Sequence, residues 1–501
     1  MKAFSSEEKK LHSKKQILKS SFIIGGASVI NAAISLLRMK VIAMILGPAG
    51  VGLVGVLNNV ISTGSAIAAV GVNSAGTRQI AEANAGQDRS ALDETFQSLV
   101  WLSILLAIFG CGVFWLARLE ILELVLGDSS YSWAIGWLAL GVFFTVLSGA
   151  LKSSLTGVRQ ISEVAKVTIY SSLIGTVLGA SAVYLYGEYG VVVLLVLLPA
   201  SVFSVSFFYV LRSPFLSFRS PNLGSTINRW KGLLRLGSAF MFAGLAGTLG
   251  DLVVRSLVQR NLGIESLGYL QASWTISMTY VGLVLASMGA DYYPRLTAII
   301  SDKKSAKRLV NEQSEISILL AGPVMLAILS LSPLIINLLY SKEFLPSVDV
   351  LRLQILGDVL RVLSWPLGFV IIASGKGKLF VLSEVLITIF FVFSVWLLVS
   401  FGGLKFIGAA FLLKYLFYVP VVWFLAWKLI GFSWSRVVKK EIAVLVSSAI
   451  AVFVISGLGN LGFLFSIIIS VLISTRSFYR ISKIVQTTEN VPVISKIFTK
   501  K

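Results

Sequence analysis

Eight ionisable side chains stand inside stretches of sequence that are otherwise apolar. They are Arg38, Lys40, Asp251, Arg255, Asp358, Arg361, Glu384 and Lys414. An ion without a partner in hydrocarbon costs at least about 2.5–3.5 kcal/mol, so residues of this kind usually face a partner or a water-filled cavity. Cations in such a cavity replace the hydration shell of a phosphate through charge-assisted hydrogen bonds, and arginine can bind two oxygens at once. The pattern predicts a cationic, anion-binding cavity.

Four of the cations stand at a similar depth in their predicted helices. At about 1.5 Å per residue, each lies roughly 10–15 Å from the same end of its helix. Amide side chains in the first two helices add donors and acceptors, although hydrogen bonds between helices explain them equally well. The predicted cavity residues are Asn31, Arg38, Lys40, Asn58, Arg255, Arg361 and Lys414.

Two of these cations have an acid within one helical turn. Asp251 and Arg255 are spaced i,i+4, and Asp358 and Arg361 are spaced i,i+3. Each pair can therefore neutralise itself and serve a purely structural role. Arg38 has no acid in its own predicted helix, which favours a role in substrate binding or gating.

The acids offer a second kind of chemistry. Glu384 has no obvious local partner, so it either binds a proton or cation or pairs with Lys414. Asp251, Asp358 and Glu384 are the candidates for coupling to protons or sodium. The membrane potential is a third possible driving force, and no cofactor is expected.

The lone cysteine and the lone histidine exclude several other classes of site. Cys111 lies in an apolar run and His12 in the charged N-terminal tail. The chain therefore lacks a disulfide framework and a histidine–cysteine metal site, and a catalytic pair from two such distant residues is not expected.

The composition requires a membrane to position these residues. Of 501 residues, 56% are hydrophobic and only 13% are charged, and the mean hydropathy is +0.88. Apolar runs of about 18 or more residues, which suffice to cross hydrocarbon, recur along the chain. We predict an all-α polytopic membrane protein with fourteen spans near 20–46, 51–74, 97–117, 133–154, 167–187, 190–211, 234–259, 267–290, 314–340, 353–374, 379–401, 406–427, 441–457 and 461–475.

The basic residues predict the orientation. Most of the 43 lysines and arginines fall in loops that are cytoplasmic if the N-terminus is inside, as the positive-inside rule requires. We therefore expect a multi-pass membrane protein with both termini in the cytoplasm. The net charge of +20 is explained by insertion and by anionic headgroups of membrane lipids, so nucleic acid is not an expected partner.

An internal repeat organises the spans. The stretch 46–53, LGPAGVGL, follows the first span, and the similar stretch 262–269, LGIESLGY, follows the seventh span 216 residues later. Six spans per half give both halves the same orientation. We predict two pseudo-symmetric six-helix lobes with a C-terminal helix pair, divided as a cytosolic basic tail (1–19), an N-terminal lobe (20–212), a cytoplasmic linker (213–233), a C-terminal lobe (234–430), spans 13 and 14 (431–475) and a second cytosolic basic tail (476–501).

Two short motifs resemble those of a known family. The turn at 46–52 and the segment 290–296, ADYYPRL, at the cytoplasmic end of span 8 are similar to the polysaccharide transport branch of the multidrug/oligosaccharidyl-lipid/polysaccharide flippases, which includes the O-antigen flippases of the Wzx type. Asp291 and Arg295 in the second motif are candidates for a cytoplasmic gate. Arg38 resembles, by position, a basic residue that related flippases keep in their first helix.

The resemblance implies a function as well as a fold. Members of this branch are flippases that alternate between inward-open and outward-open states and carry an undecaprenyl-diphosphate-linked oligosaccharide, such as an O-antigen unit, to the periplasmic leaflet. Polysaccharide polymerase machinery is then a possible partner. Members commonly have twelve spans, whereas fourteen spans are familiar from peptidoglycan-precursor flippases.

Two other functional classes compete with this interpretation. A drug/cation antiporter shares the layout but usually has carboxylates as its ion sites, and the first span here has cations and no acid. A glycan polymerase or ligase needs large outer loops with catalytic arginine or histidine, and the predicted outer loops are short and lack histidine. We therefore expect a transporter and not an enzyme.

Overall fold

We describe the chain from a computed structural model. The structure describes the backbone of residues 6–86, 88–125, 132–216, 223–401 and 403–489. Side chains are described over the same ranges except at 6–22, 132–133, 223–228, 239–240, 243, 281, 283–291 and 485–489.

The described residues form helices joined by short connections, and no strand occurs among them. Two of the helices, α2 and α4, are short, and a 3₁₀ turn at Lys342–Phe344 precedes α10. The helices are α1 (Ser6–Ala68), α2 (Val72–Ala85), α3 (Arg89–Leu116), α4 (Arg118–Val125), α5 (Ser132–Gly157), α6 (Ile161–Tyr186), α7 (Glu188–Leu211), α8 (Leu223–Ile299), α9 (Lys303–Leu339), α10 (Ser347–Ala373), α11 (Gly377–Val399), α12 (Lys405–Ile430), α13 (Arg436–Ile455) and α14 (Gly459–Glu489).

Two of these helices are pairs of spans joined by a sharp break. In α1 the break is at Gly47, with φ 62° and ψ −161°. In α8 it is at Gly263, with φ 81° and ψ 173°. Only glycine adopts such positive φ values without strain. Each break falls on the second residue of the repeated stretch, so the sequence repeat marks a repeated structural turn.

The predicted spans match the helices in chain order. We call the helical segments before and after each break the first and second arm of that helix. The spans correspond to the two arms of α1, then α3, α5, α6 and α7, the two arms of α8, and α9 to α14. Ten segments of described residues are long and apolar enough to cross a membrane, and α1 counts as one of them. The predicted fold class, an all-α polytopic membrane protein, is confirmed.

The two repeated turns pack against each other through equivalent residues. A Cβ atom at Gly52 would clash with the carbonyl oxygen of Ile264, and one at Gly268 would clash with the carbonyl oxygen of Pro48. Positions 48 and 264 are equivalent in the repeat, as are 52 and 268. The contact is therefore reciprocal, as in a two-fold symmetric interface, and it needs glycine on both sides because the backbones touch.

Contacts between residues divide the chain into two compact units. The first unit contains 1–271 and 339–343, and the second contains 272–338 and 344–501. The division falls inside α8, a little after its break. The domain boundaries predicted from the sequence, which place all of α8 beyond residue 233 in the C-terminal lobe, stay a prediction.

In the first unit, the long first arm of α8 lies against the helices that precede it. A Cβ atom at Gly71 would clash with the carbonyl oxygen of Gly237. Arg229 donates a 2.9 Å hydrogen bond to Glu94 of α3, and the Trp230 indole donates to the Ser98 carbonyl at 3.1 Å. Close backbone contact and polar bonds therefore hold this arm to the first unit.

In the second unit, α10 packs on α12, and α11 covers α12 from the side. The helices α13 and α14 are joined by an ion cluster, because the buried Glu441 binds both Arg476 and Arg480. Arg480 also pairs with Glu315 of α9 at 2.8 Å. The last helix is 31 residues long, which exceeds the length needed to cross hydrocarbon.

Candidate functional site

A cavity of about 240 Å³ opens between α10, α11 and α12 of the second unit. It brings together three residues that the sequence singled out separately, namely Arg361, Glu384 and Lys414. The rest of the wall is largely aromatic and includes Trp365, Phe369, Phe380, Tyr415 and Tyr418. We call this space the α10–α12 cavity.

Arg361 is held at the cavity wall from several sides. Its Nη1 lies 3.6 Å from Oδ1 of Asp358, so the predicted i,i+3 ion pair forms. The same nitrogen lies 3.2 Å from the sulfur of Met278, and the guanidinium stands over the rings of Trp365 at 5.2 Å and Tyr415 at 5.7 Å. The Nε atom is buried without a hydrogen-bond partner among the described residues.

Asp358 stands behind this arginine and is fully buried. Its Oδ2 accepts hydrogen bonds from Ser277 at 2.6 Å and Tyr280 at 2.8 Å. These hydroxyl donors satisfy one carboxylate oxygen, while the other faces Arg361. Asp358 therefore contributes a buried counter-charge and does not line the cavity.

Lys414 reaches the cavity from α12 through a set of aromatic rings. Its Nζ lies 4.8 Å from the centre of the Phe391 ring and 5.6 Å from that of Tyr415. Cations are attracted to ring faces, and more strongly where water is excluded. The rings thus support a partly desolvated ammonium group.

Glu384 enters the same cavity from α11. Its Oε1 accepts a short hydrogen bond from the Tyr418 hydroxyl, and Tyr418 stands one turn after Lys414 in α12. Among its described lining residues, the cavity therefore has two cations and one carboxylate, with flat apolar rings between them. Such a wall can bind an anion whose neighbouring groups have apolar faces.

Arg38 belongs to the first unit and has different surroundings. Its Nη1 lies 3.3 Å from the hydroxyl of Thr176 in α6, and its Nη2 lies 3.5 Å from that of Ser35. Both contacts are long, and both are to hydroxyls rather than to a carboxylate. Of the other candidates in α1, Asn31 and Lys40 are half-buried and Asn58 is exposed.

Arg255 is the most deeply buried of the predicted cations, with 7% of its surface exposed. It packs on the second arm of α1, where a Cβ atom at Gly55 would lie 3.0 Å from Nη1 of Arg255. That nitrogen has no hydrogen-bond partner among the described residues. The charge of Asp251, one turn earlier, acts on the guanidinium. The structure thus groups Arg255 with Arg38 in the first unit.

The two gate candidates are only partly described. Arg295 is exposed near the end of α8. The side chain of Asp291 lies outside the described residues, so its proposed gate role stays a prediction.

Several residues of the α10–α12 cavity were missed by the sequence reasoning. Trp365 and Tyr418 each stand four residues after a predicted cation, on the same helical face. This i,i+4 spacing was a usable signal. Ser277 and Tyr280, which bind Asp358 from α8, gave no comparable signal because the contact joins distant parts of the chain. Lys152 of α5, which lies 3.3 Å from the Thr168 hydroxyl, is a further half-buried cation that was not singled out.

Comparison with known proteins agrees with these features. A family model described as polysaccharide biosynthesis protein matches residues 41–349. The lipid III flippases of Escherichia coli (strain K12) and Shigella flexneri are each 24% identical over 423 residues, which cover 82% of this chain and 99% of the relative.

Solved structures with a similar fold are membrane transporters. The lipid II flippase MurJ in an inward closed conformation has a TM-score of 0.70 at 14% identity, covering 92% of this chain and 99% of that chain. An inward-facing multidrug resistance MATE transporter of the MOP superfamily has a TM-score of 0.69 at 16% identity, covering 84% and 99%. These matches confirm the family resemblance inferred from the sequence, and they agree with a transporter rather than an enzyme.

Proposed function

We propose that this chain, which belongs to the polysaccharide biosynthesis protein family, is a flippase for an undecaprenyl-diphosphate-linked oligosaccharide. The cargo would be an O-antigen or similar repeat unit, moved by alternating access from the cytoplasmic to the periplasmic leaflet of a bacterial inner membrane. The observation that carries the proposal is the α10–α12 cavity, whose wall combines Arg361 and Lys414 with aromatic rings.

The charge of the cavity suits a diphosphate. Asp358 is fully buried behind Arg361, and one of its oxygens is shared between two hydroxyl donors. Among the described residues of the wall itself, two cations stand against one carboxylate, that of Glu384. Buried arginine and lysine donors bind phosphate oxygens strongly because charged hydrogen bonds strengthen in a low dielectric.

The aromatic wall suits the sugar that follows the diphosphate. Trp365 and Tyr415 present ring faces close to Arg361. Ring faces supply large apolar contact area, and tyrosine adds a hydroxyl that can bond to a polar group. An anion joined to a ring-shaped neighbour with one apolar face would contact both parts of this wall.

The transport step requires no covalent chemistry. The headgroup would bind among the cations while the lipid tail stays in the bilayer, so the cost of carrying a diphosphate through hydrocarbon falls. A cargo that binds one state more tightly than the other shifts the protein toward that state. Arg38, whose partners are hydroxyls, is proposed as a second contact for the anion.

We also propose a coupling site and a functional partner. Glu384, which accepts a bond from Tyr418 at the cavity wall, is proposed as the site that couples transport to protons or sodium. The membrane potential alone can also act on a charged cargo. The polymerase that extends the repeat unit is the expected functional neighbour on the periplasmic side.

The test is a double substitution, Arg361→Ala with Lys414→Ala, in the bacterium that makes the polysaccharide. We expect loss of surface polysaccharide and accumulation of the lipid-linked unit. Because Arg361→Ala leaves Asp358 buried without its cation, the same variant with Asp358→Ala added should restore a normal protein level without restoring transport. The conservative Lys414→Arg should retain part of the transport. The control is Arg308→Ala, which removes an exposed ion pair with Glu312 on α9 and should leave transport unchanged.

Normal surface polysaccharide in the double variant would overturn the role of the cavity. Deletion of the gene tests the cargo itself. If the deletion leaves every surface polysaccharide intact and no lipid-linked sugar accumulates, the chain is not a flippase of this class.

A second cargo, a peptidoglycan precursor, is favoured by the fourteen helical segments that match the predicted spans, which exclude the short helices α2 and α4. The ion cluster that fastens α14 to α13 and α9 makes the last two helices an integral part of the second unit. The two cargos predict different deletion phenotypes. Loss of an O-antigen flippase leaves a viable cell without that polysaccharide, whereas loss of the sole peptidoglycan-precursor flippase stops growth and leads to lysis.

A further inference from the structure

The first unit contains a groove on its outer surface that the proposed transport path does not use. Two cavities, of about 590 and 460 Å³, lie along α5. Both are lined by Trp137 and Leu140, so the two cavities adjoin at these side chains and together make up the groove. One end is bounded by the end of α3 and the start of α4, and the other by α6 and α7. We call it the α5 groove.

The groove is apolar along its length and carries charge at one point. Among the described residues that line the two cavities, Arg118 alone is charged. Its guanidinium lies 4.2 Å from the centre of the Trp115 ring, and its Nη1 donates a 2.9 Å hydrogen bond to the Trp115 carbonyl. These two contacts fix a cation at the mouth of the groove.

The aromatic residues near Arg118 indicate how deep in the bilayer this end of the groove lies. Trp115 is one residue before the end of α3, Tyr186 is the last residue of α6, and Tyr189 is the second of α7. Tryptophan and tyrosine at helix ends mark the boundary between hydrocarbon and headgroups. Arg118 thus stands at headgroup depth, while Val196, eight residues into α7, lies about 12 Å deeper.

An aromatic belt accounts for the ring side chains but not for the space between them. The floor of the groove passes over Gly136, where an added Cβ atom would lie 3.3 Å from the Trp115 indole nitrogen and 3.6 Å from Arg118. The walls are exposed apolar side chains, with Trp137 60% and Val193 42% exposed. In a bilayer, lipid acyl chains cover an exposed apolar surface of this kind.

We propose that the α5 groove binds one anionic glycerophospholipid of the surrounding bilayer, with an acyl chain along α5 and the phosphate at Arg118. The charge pattern selects this occupant, because a cation at headgroup depth above an apolar channel complements a negatively charged head on a hydrocarbon chain. In the orientation predicted from the basic loops, the site faces the outer leaflet. It is separate from the α10–α12 cavity and does not depend on the proposed cargo.

The test is native mass spectrometry of the full chain with dioleoyl phosphatidylglycerol or dioleoyl phosphatidylethanolamine. We expect the anionic lipid to remain bound at lower concentration than the zwitterionic one. Arg118→Gln should weaken phosphatidylglycerol binding about fivefold, the effect expected of one basic residue near an anionic headgroup.

The matched control is Arg212→Gln. Arg212 lies 4.1 Å from the Phe208 ring at the end of α7, so it is also a stacked cation near a helix end, but it lines neither cavity. Its substitution should leave lipid binding unchanged. Filling the groove with Gly136→Leu, or with Val193→Trp if the first variant does not fold, should lower binding of the lipid.

Three outcomes would overturn the proposal. Equal loss in Arg118→Gln and Arg212→Gln would indicate general attraction to positive charge, and no preference for the anionic lipid would remove the role of Arg118. Displacement of phosphatidylglycerol by an equal amount of undecaprenyl phosphate would assign the groove to an isoprenyl chain instead.

Discussion

Arg38 in the first unit and the cavity cations of the second unit are half-buried and have different partners. In the second unit, Arg361 has a carboxylate partner at 3.6 Å, and Lys414 is surrounded by aromatic rings. In the first unit, the contacts of Arg38 among the described residues are two long ones to hydroxyls. A cation with a buried counter-charge is stable when no ligand is bound, whereas one with neutral partners keeps most of its attraction for an anion.

The difference separates two tasks that a sequence alone does not distinguish. The Asp358–Arg361 pair should contribute to the stability of its unit, while the guanidinium of Arg361 also supplies charge to the cavity wall. Arg38 should contribute little to stability and much to ligand affinity. Substitutions at these positions therefore test the two roles separately.

The largest effect on stability is expected for Asp358→Ala. This change leaves Arg361 without its carboxylate and the hydroxyls of Ser277 and Tyr280 without their acceptor. Removing one partner of a buried ion pair typically costs about 3–5 kcal/mol. Unfolding of the purified protein in mixed detergent micelles measures it. The double variant Asp358→Ala with Arg361→Met should recover much of the loss, because both charges are then gone. An unchanged unfolding midpoint in Asp358→Ala would show that the pair is not structural.

A smaller effect on stability, but a full loss of transport, is expected for Arg38→Ala. Its two hydroxyl contacts are long, so their removal should change the free energy of unfolding by about 1 kcal/mol or less. Surface polysaccharide should nevertheless disappear while the protein level stays normal. Arg38→Lys should retain part of the transport. If Arg38→Ala makes normal polysaccharide, the proposed contact with the anion is wrong.

The smallest effect is expected for Thr176→Val. It removes the 3.3 Å contact of Arg38 at a cost of about 0.5 kcal/mol, the low end for a hydrogen bond. Transport should fall by less than about threefold, since the guanidinium keeps its charge and its other donors. The control is Thr168→Val. Thr168 lies in α6, like Thr176, and its substitution removes the contact with Lys152 of α5. Transport as low as in Arg38→Ala would mean that Arg38 acts by holding α6 in place.

Much of the architecture was predictable because the membrane imposes a simple pattern. Apolar length marks each span, and the repeated stretches after the first and seventh spans mark the breaks at Gly47 and Gly263. The Asp358–Arg361 pair was also predictable, since residues three apart on a helix are neighbours. Local periodicity carried all of these inferences.

The candidate site was predictable only in its parts. Arg361, Glu384 and Lys414 were each identified as ions within spans, but their meeting in one cavity depends on how α10, α11 and α12 pack. The same holds for Arg255, whose packing against Gly55 joins distant parts of the chain and whose predicted place at a cavity stays a prediction. Contacts between distant helices leave no regular spacing in the sequence.

The reciprocal contact between the two glycine turns has a consequence for how the protein is made. Gly52 cannot meet Ile264, nor Pro48 meet Gly268, until the ribosome has produced the second turn. At about 5–20 residues per second, the intervening 216 residues delay this contact by roughly 10–40 s. During that interval the first turn lacks the second turn on which it packs. The first half of the protein must therefore remain in the membrane without this contact until synthesis reaches the second half.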